Sequence, residues 1–251
     1  MTTMVSSLEL IRRVPLFSML TPSQAASVAD AVVKRRFKRG EPIVEQGKKS
    51  NALAILLTGR ARVISSDARG REVILATLRQ GDYVGEMSLI DNAPHSASVF
   101  AEVQTDALIL GQPEFAQCLH DSDSMAYAVL KGLVQRLRQA DRKIESLALM
   151  DVYGRVARAL LEFAGENGSC AEGSAVIPGR VSRQDLAKMV GASRERVSRV
   201  MKDIEERGFI ETQGDGSLLV KQHLHSLGWL AKRMQFPAAP DLKASPNCVK
   251  L

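Results

Sequence analysis

A cluster of arginine and glutamate side chains, groups that form paired hydrogen bonds, lies within residues 181–207. This segment, VSRQDLAKMVGASRERVSRVMKDIEER, predicts two short helices, with Ser182 and Ser193 as N-caps and Gly191 ending the first helix. In the second helix apolar residues recur every three or four positions, which leaves the opposite face exposed. That face carries Arg194, Glu195, Arg196, Arg199 and Lys202. A helix–turn–helix with arginines at the start of its second helix suits insertion into a DNA major groove.

The alternative is a helical hairpin with a solvated charged face, and the charge distribution bears on that choice. The chain has a net charge of +6 and a sequence pI near 9.4. Residues 180–207 hold eight basic and five acidic residues, so half of the excess charge lies in this segment. A second basic run, Lys34 to Arg39, is interpreted as the solvated face of an edge strand. Residues 181–207 are therefore the predicted contact with double-stranded DNA.

Composition narrows the class of protein. The length of 251 residues favours two domains. No apolar run could span a bilayer and the N-terminus lacks a signal-peptide core, so we expect a cytoplasmic protein without a membrane partner. The cysteines lie too far apart for a zinc ribbon or a clustered iron–sulfur motif: Cys118, Cys170 and Cys248. The four histidines show neither a nucleophile nor metal spacing, so we expect no metal and no enzyme activity.

The first half of the chain predicts a β domain. Residues 8–33 are predicted to be helical, with Thr21 as an N-cap. From residue 33 to 111, short apolar segments alternate with evenly spaced turn residues, which is typical of an antiparallel sandwich, barrel or roll. Segments 57–60 and 67–70 are predicted hairpin turns.

One long interruption of this strand pattern, residues 81–98, is named here the cassette. A glycine, a glutamate and free backbone N–H groups near a short helical turn suit a ribose hydroxyl and a phosphate. A loop filled by its own side chains is equally compatible with these residues. Residue chemistry alone leaves both interpretations open.

A long helix is predicted after the β domain, over residues 124–150. Its apolar positions step by three and four: Met125, Val129, Leu133, Leu137, Ala140, Ile144 and Leu147. Such a narrow stripe favours a parallel coiled-coil-like dimer, although part of the helix could pack along its own β domain.

The second domain is predicted to begin with a helix over residues 151–164, stopped by Gly165 and followed by a polar loop to Ser174. After the helix–turn–helix, strands at 209–212 and 218–220 flank Gly-Asp-Gly, which predicts a hairpin wing. A last helix is predicted over residues 223–234, and the proline-containing tail 237–251 is predicted to be disordered.

This order of parts resembles the CRP/FNR family of bacterial transcription regulators, over about residues 10–224. Residues 182–199 are close to the family's DNA-binding signature, and residues 151–156 to its hinge. The resemblance implies an α+β fold with a β-roll sensor domain (1–122), a dimerisation helix (123–150) and a winged helix-turn-helix domain (151–236). It also implies a homodimer that binds a two-fold symmetric operator and contacts RNA polymerase.

The resemblance assigns DNA contact to seven residues: Ser182, Arg183, Gln184, Ser193, Arg194, Glu195 and Arg199. Arg194, Glu195 and Arg199 correspond to the base readers. Their chemistry agrees, because arginine binds guanine O6 and N7, and a carboxylate accepts from cytosine N4. Ser182, Arg183 and Ser193 correspond to phosphate contacts, which set the register on DNA.

The same resemblance assigns effector contact to eight residues: Gly85, Glu86, Met87, His95, Ser96, Ala97, Ala140 and Asp141. Two of these positions depart from the cyclic-AMP pattern. At the position where the family has the arginine that holds the cyclic phosphate, this chain has His95. A neutral imidazole supplies no fixed charge. At the positions of the two hydroxyl residues that contact adenine in the family, this chain has Ala140 and Asp141. Neither of these side chains donates a hydrogen bond. Both changes argue against cyclic AMP as a tight ligand.

No N-terminal cysteine cluster or Cys/His pair indicates an iron–sulfur or haem sensor. Some relatives respond to cyclic di-GMP, and guanine favours arginine stacking and carboxylate contact. Arginines and an aspartate are available in the β-roll turns: Arg60, Arg62, Arg69, Arg71 and Asp67. We therefore expect no permanent cofactor and favour cyclic di-GMP as the effector. The alternatives are a constitutive regulator with a vestigial pocket, and a nucleotide-binding module that acts on a partner protein.

Overall fold

The computed structural model describes residues 11, 14–17, 20–121, 123–167, 169–171, 174–221 and 224. The boundary between two compact units falls between Gln139 and Ala140, and each unit is described by itself. The predicted tail 237–251, and the predicted helix 223–234 apart from residue 224, lie outside the described residues. None of the described helices combines the length and the apolar character needed to cross a membrane.

The described residues of the first unit form eight strands: β1 (Val33–Phe37), β2 (Pro42–Val44), β3 (Ala52–Thr58), β4 (Ala61–Ser66), β5 (Glu72–Leu78), β6 (Tyr83–Val84), β7 (Ser98–Ala101) and β8 (Thr105–Gly111). Its helical elements are a 3-10 turn (Pro15–Phe17), α1 (Pro22–Ala31), α2 (Glu86–Asp91), α3 (Gln112–Asp121) and most of α4 (Asp123–Leu149). The strands form two antiparallel four-stranded sheets, ordered β1-β8-β3-β6 and β2-β7-β4-β5. This arrangement confirms the predicted antiparallel β-roll.

Strand β3 shows why the roll forms. Its alternate residues Leu53, Ile55 and Leu57 join the core beneath the helices, whereas Leu56 joins the core that contains Val99 of β7. Burial on both faces gives β3 the continuous apolar run of a central strand. Strand β1, which carries the basic run, lies at a sheet edge, as predicted.

Two local predictions in the first unit were wrong. The described part of residues 8–33 is divided, because a 3-10 turn starts at Pro15 and α1 starts separately at Pro22. Strand β1 begins at Val33, where the strand pattern was predicted to start. Segment 57–60 is not a hairpin, since β3 and β4 belong to different sheets. In contrast, the predicted turn at 67–70 does connect the paired strands β4 and β5.

The first turns of α4 pack differently from the predicted apolar seam. Met125 and Val129 are buried in the core of the β-roll, with Leu133 packed against it. The large apolar side chains that remain exposed on α4 are Tyr127, Leu130, Val134, Leu137, Ile144, Leu147 and Leu149. The alternative of packing along the β domain therefore holds for the first part of the helix. The exposed stripe shares Leu137, Ile144 and Leu147 with the predicted seam and departs from it before Leu137.

In the second unit the end of α4 is followed by three helices and four strands among the described residues: α5 (Val152–Asn167), β9 (Ser169–Ala171), β10 (Ser174–Ile177), α6 (Arg183–Val190), α7 (Arg194–Glu206), β11 (Ile210–Thr212) and β12 (Leu218–Lys221). The strands form an antiparallel sheet ordered β11-β12-β10-β9, in which β11 and β12 are the predicted wing. Helix α5 continues past Gly165, contrary to prediction, and the predicted polar loop contains β9. Buried residues of α5, α6, α7 and the sheet share one core.

Candidate functional site

Helices α6 and α7 form the predicted helix–turn–helix, and local hydrogen bonds fix where each begins. Ser182 Oγ accepts the backbone N–H of Asp185 at 3.2 Å, and Ser193 Oγ accepts that of Arg196 at 3.3 Å. Gly191 ends α6 in the left-handed conformation, with φ of 64°. Three fully buried side chains anchor α7 from below: Val197, Met201 and Ile204. The helix is thereby held with one face toward solvent.

Arg194, Glu195 and Arg199 all lie on that exposed face of α7. A hydrogen bond from its own backbone N–H lowers the pKa of Glu195, and Ser193 and the two arginines add to the effect. Glu195 is therefore a carboxylate at neutral pH, able only to accept hydrogen bonds. The three side chains together offer two bidentate donors and one acceptor, which matches the chemistry of a G·C-containing major groove.

The predicted phosphate contacts surround the start of each helix. Ser182 and Ser193 are exposed, as is Gln184, which was predicted to contact DNA without a specified role. Each serine oxygen accepts a capping hydrogen bond. The O–H of Ser182 remains able to donate to a phosphate, whereas the Ser193 hydroxyl also forms a hydrogen bond with the Glu195 carboxylate. Arg183 is half-buried; burial lowers its pKa, while the nearby charge of Glu205 opposes that change. Arg183 is thus less exposed than Arg194 and Arg199 of α7.

Sequence reasoning missed the contact that ties the wing to α7. Glu205 Oε1 accepts hydrogen bonds from the backbone N–H of Thr212 at 3.1 Å and from its hydroxyl at 2.7 Å. Glu205 therefore contacts the first wing strand while its charge acts on Arg183 of α6. No pattern in the sequence signals this role, because Glu205 is one of several charged residues on an amphipathic helix.

The last turns of α4 contact the helix–turn–helix within the second unit. A Cβ added to Gly191, at the turn, would lie 3.3 Å from Leu147 Cδ2. Arg155 of α5 donates to the backbone carbonyl of Leu147 at 3.4 Å. The end of α4 therefore packs directly beside the turn between α6 and α7.

Within the first unit, the cassette places Gly85 and Glu86 at the start of α2. Gly85 has φ of 104°, and a Cβ there would lie 2.6 Å from the carbonyl oxygen of Ala52. Only glycine fits both the left-handed backbone and this close approach. Glu86 follows it and is only 1% exposed. Gly85 thus allows a backbone turn that places the Glu86 carboxylate in the protein interior.

An arginine of the long helix pairs with this carboxylate. Arg136 of α4 donates to Glu86 Oε1 and to the backbone carbonyl of Tyr83, and its Cζ lies 5.0 Å from the centroid of the Tyr83 ring. Glu86 Oε2 is buried and has no hydrogen-bond partner among the described residues. Burial raises the pKa of Glu86, and the charge of Arg136 opposes that increase. Oε1 of Glu86 is thus paired with Arg136, and Oε2 is left to accept a hydrogen bond.

His95 makes a contact of its own. Its Nε2 lies 2.8 Å from Ser50 Oγ, and the residue is 9% exposed. Burial lowers the pKa of His95, so the imidazole is neutral at pH 7. Its backbone is held by hydrogen bonds with Gly47 and Lys48, both of 2.9 Å. At this position the protein therefore presents no cation.

The remaining predicted effector residues differ in their exposure and fall in both units. Ala97 is buried, whereas Ser96 and Met87 are exposed. Ala140 and Asp141 are exposed on α4 and belong to the second unit. The structure thus brings together Gly85 and Glu86 and adds Arg136 and Tyr83, which the sequence had not singled out. Arg136 lies fifty residues from Glu86 along the chain, so no local pattern indicates their contact.

Three of the four arginines of the β-roll turns are already paired with carboxylates. Arg62 contacts Glu102 at 2.6 Å, with Arg60 at 3.6 Å from the same side chain. Arg71 contacts Asp67 at 2.7 Å across the turn between β4 and β5. These contacts form two separate groups, so the turns do not assemble one arginine cluster.

Two family models match separate parts of the chain. A family model of the cyclic nucleotide-binding domain matches residues 34–122, and one of the Crp-like helix-turn-helix domain matches residues 154–225. The cyclic AMP receptor protein of Thermus thermophilus is 31% identical over 83% of this chain and 93% of its own length. The regulator Vfr of Pseudomonas aeruginosa, named as cAMP-activated, is 30% identical over 72% of this chain and 86% of its own.

A solved structure shares the fold: the c-di-GMP responsive global regulator CLP of Xanthomonas campestris. It has a TM-score of 0.71 and 25% identity, covering 80% of this chain and 99% of that chain. The chain belongs to the CRP/FNR family. It is a CRP-like transcriptional regulator with a cyclic nucleotide-binding domain.

Proposed function

We propose that the protein is a homodimeric, sequence-specific DNA-binding regulator that acts in the cytoplasm on a two-fold symmetric operator and contacts RNA polymerase. The observation that carries DNA reading is the exposed group of Arg194, Glu195 and Arg199 on a helix capped and anchored at its start. A helix for docking another protein would expose more apolar or aromatic surface. This argues against a module that acts only on a partner protein.

A second copy is the proposed partner of α4. Its exposed apolar residues step by three and four, from Tyr127 through Leu130 and Val134 to Leu137, and Ile144 lies seven positions further on. Leu137 and Ile144 are 62% and 64% exposed, which is unusual for such a regular stripe on an isolated helix. Steps of this kind are typical of a parallel two-stranded coiled coil.

The dimer is tested by a charge on that stripe. Leu137→Asp should shift the protein to monomer in analytical ultracentrifugation and abolish operator binding, because a pair of carboxylates would meet at the seam. Arg138→Asp, one residue away and also exposed, is the matched control and should remain dimeric. A dimeric Leu137→Asp protein would contradict this interface.

We propose residues 1–122 as the sensor domain, 123–150 as the dimerisation helix and 151–236 as the DNA-binding domain. For the sensor we propose a guanine-containing effector, more specifically cyclic di-GMP than cyclic AMP. The buried free oxygen of Glu86 beside Arg136 supports it, because a carboxylate accepts from hydroxyl or guanine N–H groups while a guanidinium binds phosphate or stacks on a base. The neutral, Ser50-bound His95 offers no phosphate clamp for cyclic AMP.

The free oxygen of Glu86 also favours guanine over adenine by its chemistry. A carboxylate oxygen can accept from N1–H or N2–H of guanine, whereas adenine presents an acceptor at N1. The paired arginines of the β-roll turns play no part in this proposal.

A constitutive regulator with a vestigial pocket is the second candidate, and the Arg136–Glu86 pair favours it because Arg136 already neutralises the carboxylate. Calorimetry against cyclic di-GMP, cyclic GMP and cyclic AMP, each with and without operator DNA, separates the two. Effector control requires an affinity that changes when DNA is present, since coupling is reciprocal. Tight operator binding without response to any of the three nucleotides would favour the constitutive regulator.

A further inference from the structure

A glycine in the middle of α4 lies opposite Tyr83. Gly132 is half-buried and occupies a helical position at which alanine has the higher intrinsic propensity. A Cβ at this position would overlap the Tyr83 hydroxyl and lie 3.1 Å from the Cζ of its ring. The Tyr83 side chain therefore occupies the space that a side chain at position 132 would need.

A hydrogen bond positions the Tyr83 ring: its hydroxyl donates to the backbone carbonyl of Val129 at 3.4 Å. Val129 is buried in the core of the β-roll, and Leu133 packs against the same core. Tyr83 is buried as well. Its ring therefore lies against the stretch of α4 in which Gly132 carries no side chain.

The same tyrosine contacts Arg136. Gly132 and Arg136 are four residues apart and share one face of α4. The Arg136 guanidinium lies over the Tyr83 ring, donates to the Tyr83 backbone carbonyl and pairs with Glu86. A displacement of the ring away from Gly132 would therefore move the surface on which Arg136 rests.

We propose that Tyr83 and Gly132 are positioning residues of the effector cassette, whose close contact holds Arg136 against Glu86 and so joins α4 to the cassette. The inference rests on the proposed function in one respect, because an effector that uses the free Glu86 oxygen would meet a guanidinium already held in place. The contact between helix and cassette itself exists without an effector.

The first test is amide hydrogen exchange of residues 129–137 in the full-length protein. Gly132→Ala should accelerate exchange at least tenfold, because the added methyl group displaces Tyr83. Gly165→Ala is the matched control, since Gly165 is helical and no described atom lies within 4 Å of an added Cβ. It should slow exchange in α5, by about fivefold from helix propensity. Unchanged or slower exchange of residues 129–137 in Gly132→Ala would overturn the proposal.

A second set of variants asks whether Gly132 acts through Tyr83 and Arg136. Tyr83→Phe removes the hydroxyl that an added Cβ would overlap, so Tyr83→Phe/Gly132→Ala should return to within about threefold of Tyr83→Phe alone. Gly132→Ala should add no further acceleration to Arg136→Ala. Additive effects in both pairs would show a merely structural role and overturn the positioning role.

Calorimetry with cyclic di-GMP and cyclic AMP separates this inference from the proposed function. Gly132→Ala should weaken, by at least tenfold, whichever nucleotide the wild-type protein binds. Unchanged affinity in that variant would overturn the positioning role toward the effector. If the wild-type protein binds neither nucleotide, the effector proposal fails, and hydrogen exchange still decides whether the contact holds Arg136.

Discussion

Two glutamates, Glu86 in the cassette and Glu195 on α7, lie in opposite environments. Glu86 is buried, shares one oxygen with Arg136, and has its pKa raised by burial. Glu195 is exposed beside two arginines, and its pKa is lowered by hydrogen bonds that begin with its own backbone N–H. The same residue type is thus part of the folded core in one unit and part of a solvated surface in the other.

The difference predicts which property each charge controls. A charge removed from the cassette leaves a buried partner without compensation, so stability changes. A charge removed from α7 leaves a solvated surface, so the folded state is little affected and DNA affinity changes. The following predictions test that contrast.

The largest effect is expected from Arg136→Ala, which leaves the Glu86 carboxylate buried and unpaired. Because the Arg136 side chain is 34% exposed, we expect a loss of about 2–3 kcal/mol in the free energy of unfolding, less than for a fully buried pair. Urea denaturation of the full-length protein measures it. Arg138→Ala, on the exposed face, is the control and should change stability by less than about 0.5 kcal/mol. Glu86→Gln/Arg136→Ala should recover part of the loss.

The next effect concerns DNA affinity. Arg194→Ala should weaken operator binding by about 1–3 kcal/mol and relax specificity at one base pair, because the bidentate contact to guanine is lost. Arg194→Lys keeps the charge but not the paired donors, so it should preserve the salt dependence while still relaxing specificity. Binding-site selection with both variants is the measurement, and an unchanged operator preference would count against this assignment.

The smallest effect is a pH dependence. Since burial raises the pKa of Glu86, the folded state binds this proton more tightly than the unfolded state. The stability contributed by protonation is present below the ordinary glutamate pKa of about 4.3 and is lost as pH rises through the raised pKa. Glu86→Gln removes this titration, so its stability should fall less over that range. Urea denaturation at a series of pH values measures both slopes, and equal slopes would show that Glu86 does not titrate differently on folding.

Local features of the sequence predicted the DNA-binding half well. The serine caps, the glycine between α6 and α7, and the wing hairpin each depend on residues within a few positions of one another. The structure shows the two caps and the left-handed Gly191. The β-roll was equally predictable, because its strands alternate or run continuously apolar according to how many faces they bury.

The tertiary structure alone decided which faces of α4 are buried and which charges meet. The sequence contained one periodic apolar pattern on that helix. Packing against the β-roll buries Met125 and Val129 of this pattern, whereas Leu137 remains exposed. Arg136 and Glu86 are fifty positions apart, so no local spacing indicates their contact. Helix caps and turns are fixed by neighbours along the chain, whereas a buried ion pair depends on how the helix and the sheet are placed together.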